Sequence, residues 1–280
     1  MSLSGSQSPR DAGTGAIDLA DAFDLEVAEV GTTVSRFVGR NLTPDPARRR
    51  LYGGQVAAQA LIAAGLTVPD GRRAHSLHGY FLRSGDLERK VEYVVDHDRD
   101  GRRFSARHVS AMQDDRVVFS MLASFCEGTP RTVLDEGPYR PDRIPPLDEC
   151  PGVILEGGIE SRPITKVRVV GERTLYPDAM YMRPTTPIPD SDLHRAALLV
   201  YVSDLGSGFG QNEDDDVGVG DVSLDHAVWF HQLPEVGSWL VLDSWPIAAV
   251  YGRGLYNGSI RDLEGRLAAT VTQETLLRYV

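Results

Sequence analysis

Three polar side chains stand in the second half of the chain where an apolar pattern would not place them. A helix is expected from Ser191 to Leu205: Pro187 and Pro189 precede it, Asp190 or Ser191 can cap it, and Gly206 stops it. Along it, Leu193, Ala196, Ala197, Val200 and Tyr201 keep the three-four spacing of one buried stripe, and the next step lands on Asp204. A carboxylate there lies on an apolar face and in the last turn, where the helix dipole is already negative, so folding alone would not choose it. It is either functional, or an aspartate turned to solvent or bonded to the loop 206–210. In the following strand Ser223 alternates with Asp225, Ala227 and Trp229 on one face. In the last strand Val271, Gln273 and Thr275 oppose Thr270, Thr272 and Glu274, which puts an amide beside an apolar neighbour. A buried amide needs partners for its donors and its acceptor. Taken singly, each of these residues also fits ordinary structural hydrogen bonding.

Other patterns that could carry chemistry fail on context. His75 and His78 have no carboxylate at ligand spacing beside them, so no metal site is expected. The run Gly218-Val-Gly-Asp-Val-Ser223 imitates the start of a dinucleotide fingerprint, but it follows the acidic stretch Glu213–Asp216 and precedes a strand, not a helix. Neither a G-x-S-x-G nucleophile elbow nor a P-loop occurs. Cys126 and Cys150 make no disulfide framework and read as inert thiols of a reducing cytosol.

The elements that would position these residues repeat. Before the proline-rich segment Arg140–Pro151, strands are expected near 25–30 and 33–38, a helix over 54–65, and strands near 75–83, 90–96, 103–112 and 116–125, the last two joined by a turn at 113–115. After it come strands near 162–169 and 179–183, the helix 191–205, and strands near 222–231, 239–249, 252–260 and 266–277, with the corresponding turn at 262–265. Ser76-Leu-His-Gly-Tyr-Phe81 resembles Ser223-Leu-Asp-His-Ala-Val-Trp-Phe230 with one insertion, which supports two copies of one unit. In Gln55-Val-Ala-Ala-Gln-Ala-Leu-Ile-Ala-Ala64 the alanines fall on every side, so this helix has no wide polar face and is expected to be buried nearly all round. An antiparallel sheet curled around it satisfies that requirement. The expected fold is therefore α+β, a double hotdog of two tandem units, each a curled sheet around a central helix. An α+β sandwich with its helix under one sheet fits the same alanine pattern. The expected division is a disordered leader over 1–16, an N-terminal unit over 17–139, a linker over 140–151 and a C-terminal unit over 152–280.

Composition agrees with a globular body. The chain has 280 residues, 41% apolar and 25% charged, with a net charge of −11. An acidic balance without a basic stripe argues against nucleic-acid or membrane-surface partners. The longest mostly apolar run, Ala196–Val202, is far short of the roughly 20 residues a bilayer span needs.

These segments resemble the acyl-CoA thioesterase II family of double-hotdog thioesterases. The resemblance runs from about Leu51 to Arg278, through Tyr52-Gly-Gly-Gln-Val56, His75-Ser-Leu-His78 with Tyr80-Phe-Leu-Arg83, Phe104-Ser-Ala-Arg107, Tyr201-Val-Ser-Asp-Leu205, Ser223-Leu-Asp-His226 with Trp229-Phe-His231, and Thr270-Val-Thr-Gln-Glu274. It implies that a hydrolytic water is held by Asp204, Ser223 and Gln273, with Ser223 in place of the family's usual Thr; the hydroxyl is kept and the methyl that restricts its rotamer is lost. The residue types suit the chemistry, since attack of water on a thioester carbonyl needs a proton acceptor and a fixed orientation. Backbone N–H groups beside Gly53 and Gly54 are candidates for the oxyanion site. His75, Arg107 and Arg253 are candidate substrate contacts, and Arg83, Arg102 and Arg103 join Arg107 and Arg253 as candidates to offset coenzyme A phosphates. The resemblance further implies an acyl-CoA substrate, no cofactor, and a cytoplasmic homo-oligomer, dimer or tetramer. The end of the first helix offers Ala63 and Ala64, and the place of Gln273 falls near Leu122 or Ala123, so one active centre per chain is expected. An enoyl-thioester hydratase and a non-catalytic acyl-CoA binding protein are the competing readings.

Overall fold

The structure, a computed structural model, describes residues 18–42, 50–128, 134–135, 144–170, 173–175, 177–206, 208–210 and 218–278. The expected leader and part of the expected linker lie outside these residues. The first half contains helix α1 (Leu19–Phe23), strands β1 (Glu26–Val30) and β2 (Val34–Gly39), helix α2 (Gly53–Gly65), and strands β3 (Arg72–Phe81), β4 (Val91–Asp100), β5 (Phe104–Gln113) and β6 (Arg116–Glu127). The second half contains short strands β7 (Ile154–Glu156), β8 (Ile159–Pro163), β9 (Arg168–Val170), β10 (Arg173–Leu175) and β11 (Ala179–Pro184), then helix α3 (Asp192–Ser203). Strands β12 (Val219–Ser223), β13 (Asp225–Phe230), β14 (Leu240–Val250), β15 (Arg253–Asp262) and β16 (Leu267–Arg278) complete it.

Fourteen strands form one sheet in the order β1-β2-β4-β5-β6-β3-β13-β16-β15-β14-β11-β8-β7, with β12 pairing β16 next to β13. The β9–β10 pair stands apart. The halves join where β3 and β13 run antiparallel, from Ser76 opposite Trp229 to Tyr80 opposite Asp225. The turn between β5 and β6 places Asp114 at φ 52°, a left-handed conformation that aspartate tolerates better than most residues.

The two long helices pack against one another and lie against the sheet. Residues 54–64 of α2 are all buried, as its alanine pattern requires. α2 touches β3 to β6, while α3 touches β3, β15 and β16. The helices run antiparallel: a Cβ on Gly54 would stand 2.5 Å from the Tyr201 carbonyl, and one on Gly65 would stand 2.3 Å from Leu193 Cδ1. Glycine at both ends of α2 is thus a condition for this approach. The Tyr52 hydroxyl donates to the Tyr201 carbonyl at 2.5 Å, giving a partner to a carbonyl in the last turn of α3. Among the described residues no helix is long and apolar enough to cross a membrane.

Besides the short strands β7 and β10, which lie outside the expected strands, the observed elements depart from the expected ones at three places. α1 is too short to leave a periodic signal, and Asp18 caps it by accepting from Ala20 N at 2.8 Å. The strand expected over 162–169 is interrupted because Ile164 N and Thr165 N both turn to the Ala179 carbonyl, ending β8 before β9 begins. The strand expected over 222–231 is broken at Leu224, whose N–H goes to the Glu274 carbonyl and whose carbonyl accepts from Phe81 N. That break changes which face Ser223 occupies.

Candidate active site

An unbroken strand would put Ser223 on the face of Asp225, Ala227 and Trp229. Because β12 ends and β13 restarts across Leu224, Ser223 instead pairs opposite the buried Thr275 and shares the inward side with the buried His226. Asp204 follows the last residue of α3 as its C-cap, with φ −94° and ψ 6°. Gln273 lies in the middle of β16 and is 2% exposed, on the inward face predicted from its alternation.

The structure brings these three side chains together. Ser223 Oγ donates to Asp204 Oδ1 at 2.9 Å, and Gln273 Nε2 donates to the same oxygen at 3.0 Å. Gln273 Nε2 also lies 2.6 Å from Ser223 Oγ. One carboxylate oxygen therefore accepts two neutral donors, while the other, Oδ2, faces the start of α2, where a Cβ on Gly53 would stand 2.7 Å away. Tyr52, the N-cap of α2, supplies no side-chain cap to the first N–H groups of this helix, whose positive dipole end lies on the side of Asp204. Phe81, tilted against Phe119 with centroids 4.8 Å apart, flanks the same glycine.

Two further residues complete the cluster and carry no signal strong enough to single them out from sequence. The amide oxygen of Gln273 is hydrogen-bonded to His226 Nδ1, and His226 Nε2 is 2.7 Å from Ser203 Oγ. Burial holds the His226 ring below the ordinary histidine value of 6.5, against the opposing pull of Asp204, the Gln273 hydrogen bond and Asp225. Asp225 and His226 are neighbours on one strand, and sequence alone does not say which of the two faces inward.

The remaining candidates lie elsewhere. Gly53 and Gly54 open α2 beside Asp204 and Tyr201. His75 Nε2 is 2.8 Å from Ser124 Oγ, and its ring meets Phe104 edge-on. His78 stacks edge-on against Trp229, so the two histidines are taken up by separate neighbours. Arg107 is fully buried: its guanidinium bonds Thr67 Oγ1 and carbonyl, the Arg99 and Ala106 carbonyls, and both oxygens of Asp100 at 2.9 and 3.0 Å. Its donors hold the loop after α2, so it offers a ligand nothing. Burial alone would raise the Asp100 carboxyl, but hydrogen bonds from Arg107 and Ser105 outweigh it and hold the group below its usual range. Arg253 pairs with Glu274 at 2.9 Å, and Arg83 donates to the Val117 carbonyl. Arg102 and Arg103 are exposed between β4 and β5.

In the first half, the inward positions of β6 are Phe119, Met121, Ala123 and Phe125, and α2 ends in Ala63, Ala64 and Gly65. Neither element presents a polar counterpart to Gln273 or Asp204.

A model of the acyl-CoA thioesterase N-terminal domain matches residues 43–126, and one of the C-terminal domain matches residues 153–277. A tesB protein of Mycobacterium avium subsp. paratuberculosis is 33% identical, superposes with a TM-score of 0.69, and is matched over 93% of this chain and 98% of its own. The chain belongs to the acyl-CoA thioesterase II family. Acyl-coenzyme A thioesterase 8 of Homo sapiens is 29% identical over 82% of this chain and 81% of that protein. A protein with a hot dog fold from Alicyclobacillus acidocaldarius, 19% identical with a TM-score of 0.67 over 92% of this chain and 97% of its own, shares the architecture. The family member described here is thus a double-hotdog thioester hydrolase, its two helices wrapped by one continuous antiparallel sheet.

Proposed function

We propose that this thioesterase hydrolyses acyl-CoA to a free carboxylic acid and coenzyme A at a single centre per chain, with Asp204 as general base and Ser223 and Gln273 orienting the water. The observation that carries the reading is the convergence of Ser223 Oγ and Gln273 Nε2 on one oxygen of Asp204, whose other oxygen faces the uncapped start of α2. Two neutral donors hold the carboxylate in place, and as a general base it takes a proton from the water. As that proton leaves the water, its oxygen bonds to the thioester carbon and the carbonyl electrons move onto oxygen. The N–H groups at the start of α2 are aimed to stabilise that oxyanion. Collapse re-forms the carbonyl and breaks the C–S bond. The departing thiol, with an ordinary pKa of about 8.5, needs little help from an acid and takes back the proton held by Asp204.

The apolar inward face of β6 supports one centre per chain. Among the described residues no strand pairs the outer sides of β1 and β7, which supports assembly of copies through sheet pairing. Alternation along β13 disfavours a hydratase: the Asp225 side chain accepts from Glu274 N while His226 faces inward, so these neighbours form no Asp–His pair. The test is thiol release over a ladder of acyl-CoA chain lengths with Asp204→Asn beside the wild type. The amide keeps an acceptor for Ser223 and Gln273 but cannot take a proton, so turnover is expected to fall about 10²- to 10⁴-fold with acyl-CoA still bound. Equal rates in a folded variant reject the assignment of the base.

A further inference from the structure

The end group of Gln273 carries a donor on one side and an acceptor on the other, so its hydrogen bonding depends on which way it points. An ionised Asp204 can only accept, so the amide must turn Nε2 toward it and Oε1 away, toward His226. A turn of half a revolution about the last side-chain bond would put the amide oxygen against the carboxylate. What meets Oε1 therefore decides whether the site is assembled. An Oε1 that accepts needs a proton on His226 Nδ1, and in a neutral ring that leaves Nε2 bare as an acceptor. Ser203 Oγ stands 2.7 Å from that nitrogen to supply a hydrogen, having the Val200 carbonyl at 2.9 Å as its alternative. The donors then all run one way, from Ser203 to His226, from His226 to Gln273, and from Gln273 to Asp204 and Ser223. The chain of donors begins on Ser203, the last residue of α3, and ends on the next residue, Asp204. Its middle crosses β13 and β16, and Ser203, His226 and Gln273 are 1%, 1% and 2% exposed.

We propose that His226 is a positioning residue of the hydrolytic centre: its Nδ1–H, with Ser203 setting the tautomer, locks the Gln273 amide so that Nε2 faces Asp204 and Ser223. The inference rests on the reading of Asp204, Ser223 and Gln273 as the hydrolytic site. It explains why an ionisable ring occupies an inward position of β13 where neighbouring Val228 is apolar. Burial favours the neutral ring that the chain of donors requires.

The test uses steady-state thiol release from acyl-CoA with His226→Leu, which fills similar volume without a donor, and His226→Asn, whose amide N–H reproduces a donor near the Nδ1 position. Each is made in the wild-type and Gln273→Ala backgrounds. His226→Leu is expected to lower kcat about 10- to 100-fold, the loss typical of a group misplaced by about 1 Å, with little change in KM. His226→Asn is expected to recover most of it, and His226→Leu to cost nothing further once Gln273 is alanine. Equal effects of Leu and Asn, or losses that multiply with Gln273→Ala, overturn the proposal. Full activity of His226→Leu beside an inactive Asp204→Asn overturns it while leaving the reaction assignment standing; full activity of Asp204→Asn removes the reading beneath it. A measurement independent of any variant is the ¹⁵N spectrum of the wild-type imidazole. An Nδ1–H tautomer is expected, and a proton on Nε2 alone refutes the proposal.

Discussion

Gly53→Ala puts the geometry of the site to a direct test, because it adds a single methyl at the place where α2 meets the carboxylate. The new Cβ would stand 2.7 Å from Asp204 Oδ2 and 2.9 Å from two ring carbons of Phe81, whereas ordinary contact begins near 3.4 Å. Phe81 is backed by Phe119 at 4.8 Å, so the carboxylate is the softer neighbour and must withdraw by about 0.7 Å. Moving it away from Gly53 disturbs the bonds from Ser223 and Gln273, now 2.9 and 3.0 Å, toward the length at which hydrogen bonds cease to count. A misplacement of this size costs about 10- to 100-fold in kcat, equivalent to about 1.4–2.7 kcal/mol of transition-state stabilisation. The fold should tolerate it, since Gly53 has no left-handed φ and Ala in a helix is favoured over Gly by about 0.4–1 kcal/mol. The assay is thiol release with acyl-CoA alongside thermal unfolding. A folded Gly53→Ala protein turning over within about twofold of wild type would refute the argument, because a site that sensitive to geometry cannot ignore such a shift.

Gly54→Ala should behave in the opposite way. Its Cβ meets the Tyr201 carbonyl at 2.5 Å and the Tyr52 ring and hydroxyl at 2.6 Å, backbone and hydrogen-bonded atoms that cannot yield, so a loss of about 1–3 kcal/mol in chemical denaturation is expected. Arg107→Lys breaks the fan of bonds to Thr67, Asp100 and the Arg99 and Ala106 carbonyls and is expected to destabilise by about 1–3 kcal/mol while KM stays near wild type. A raised KM at unchanged stability would return this arginine to the substrate site. Acid should weaken the fold through His226. Its folded pKa lies below the unfolded value of 6.5, so as pH falls the unfolded chain binds the proton first. The stability held above 6.5 is lost below it, down to the folded pKa, at up to about 1.4 kcal/mol per pH unit for this one group. Denaturation curves at several pH values for wild type and His226→Asn should show the shallower pH dependence in the variant.

The duplicated order of elements, the two long helices and the long strands could be read along the chain because each is a local property. Alanines on every side of a helix require burial on every side, and the alternation in β16 puts Gln273 inward whatever its neighbours turn out to be. The site is a different matter. Ser223 reaches Asp204 because the strand breaks at Leu224, and that break is made by hydrogen bonds to Phe81 and Glu274, residues far away in the chain. Arg107 shows the same limit from the other side: an arginine in a strand looks available to phosphate until the loop after α2 folds over it and takes up its donors. His226 and Ser203 entered the cluster only once α3 met β13 and β16. Residue types and local periodicity are written in the polypeptide. Which donor meets which acceptor is set by packing between distant segments, where a change of face at one residue moves a hydroxyl from the outside of the sheet to the carboxylate.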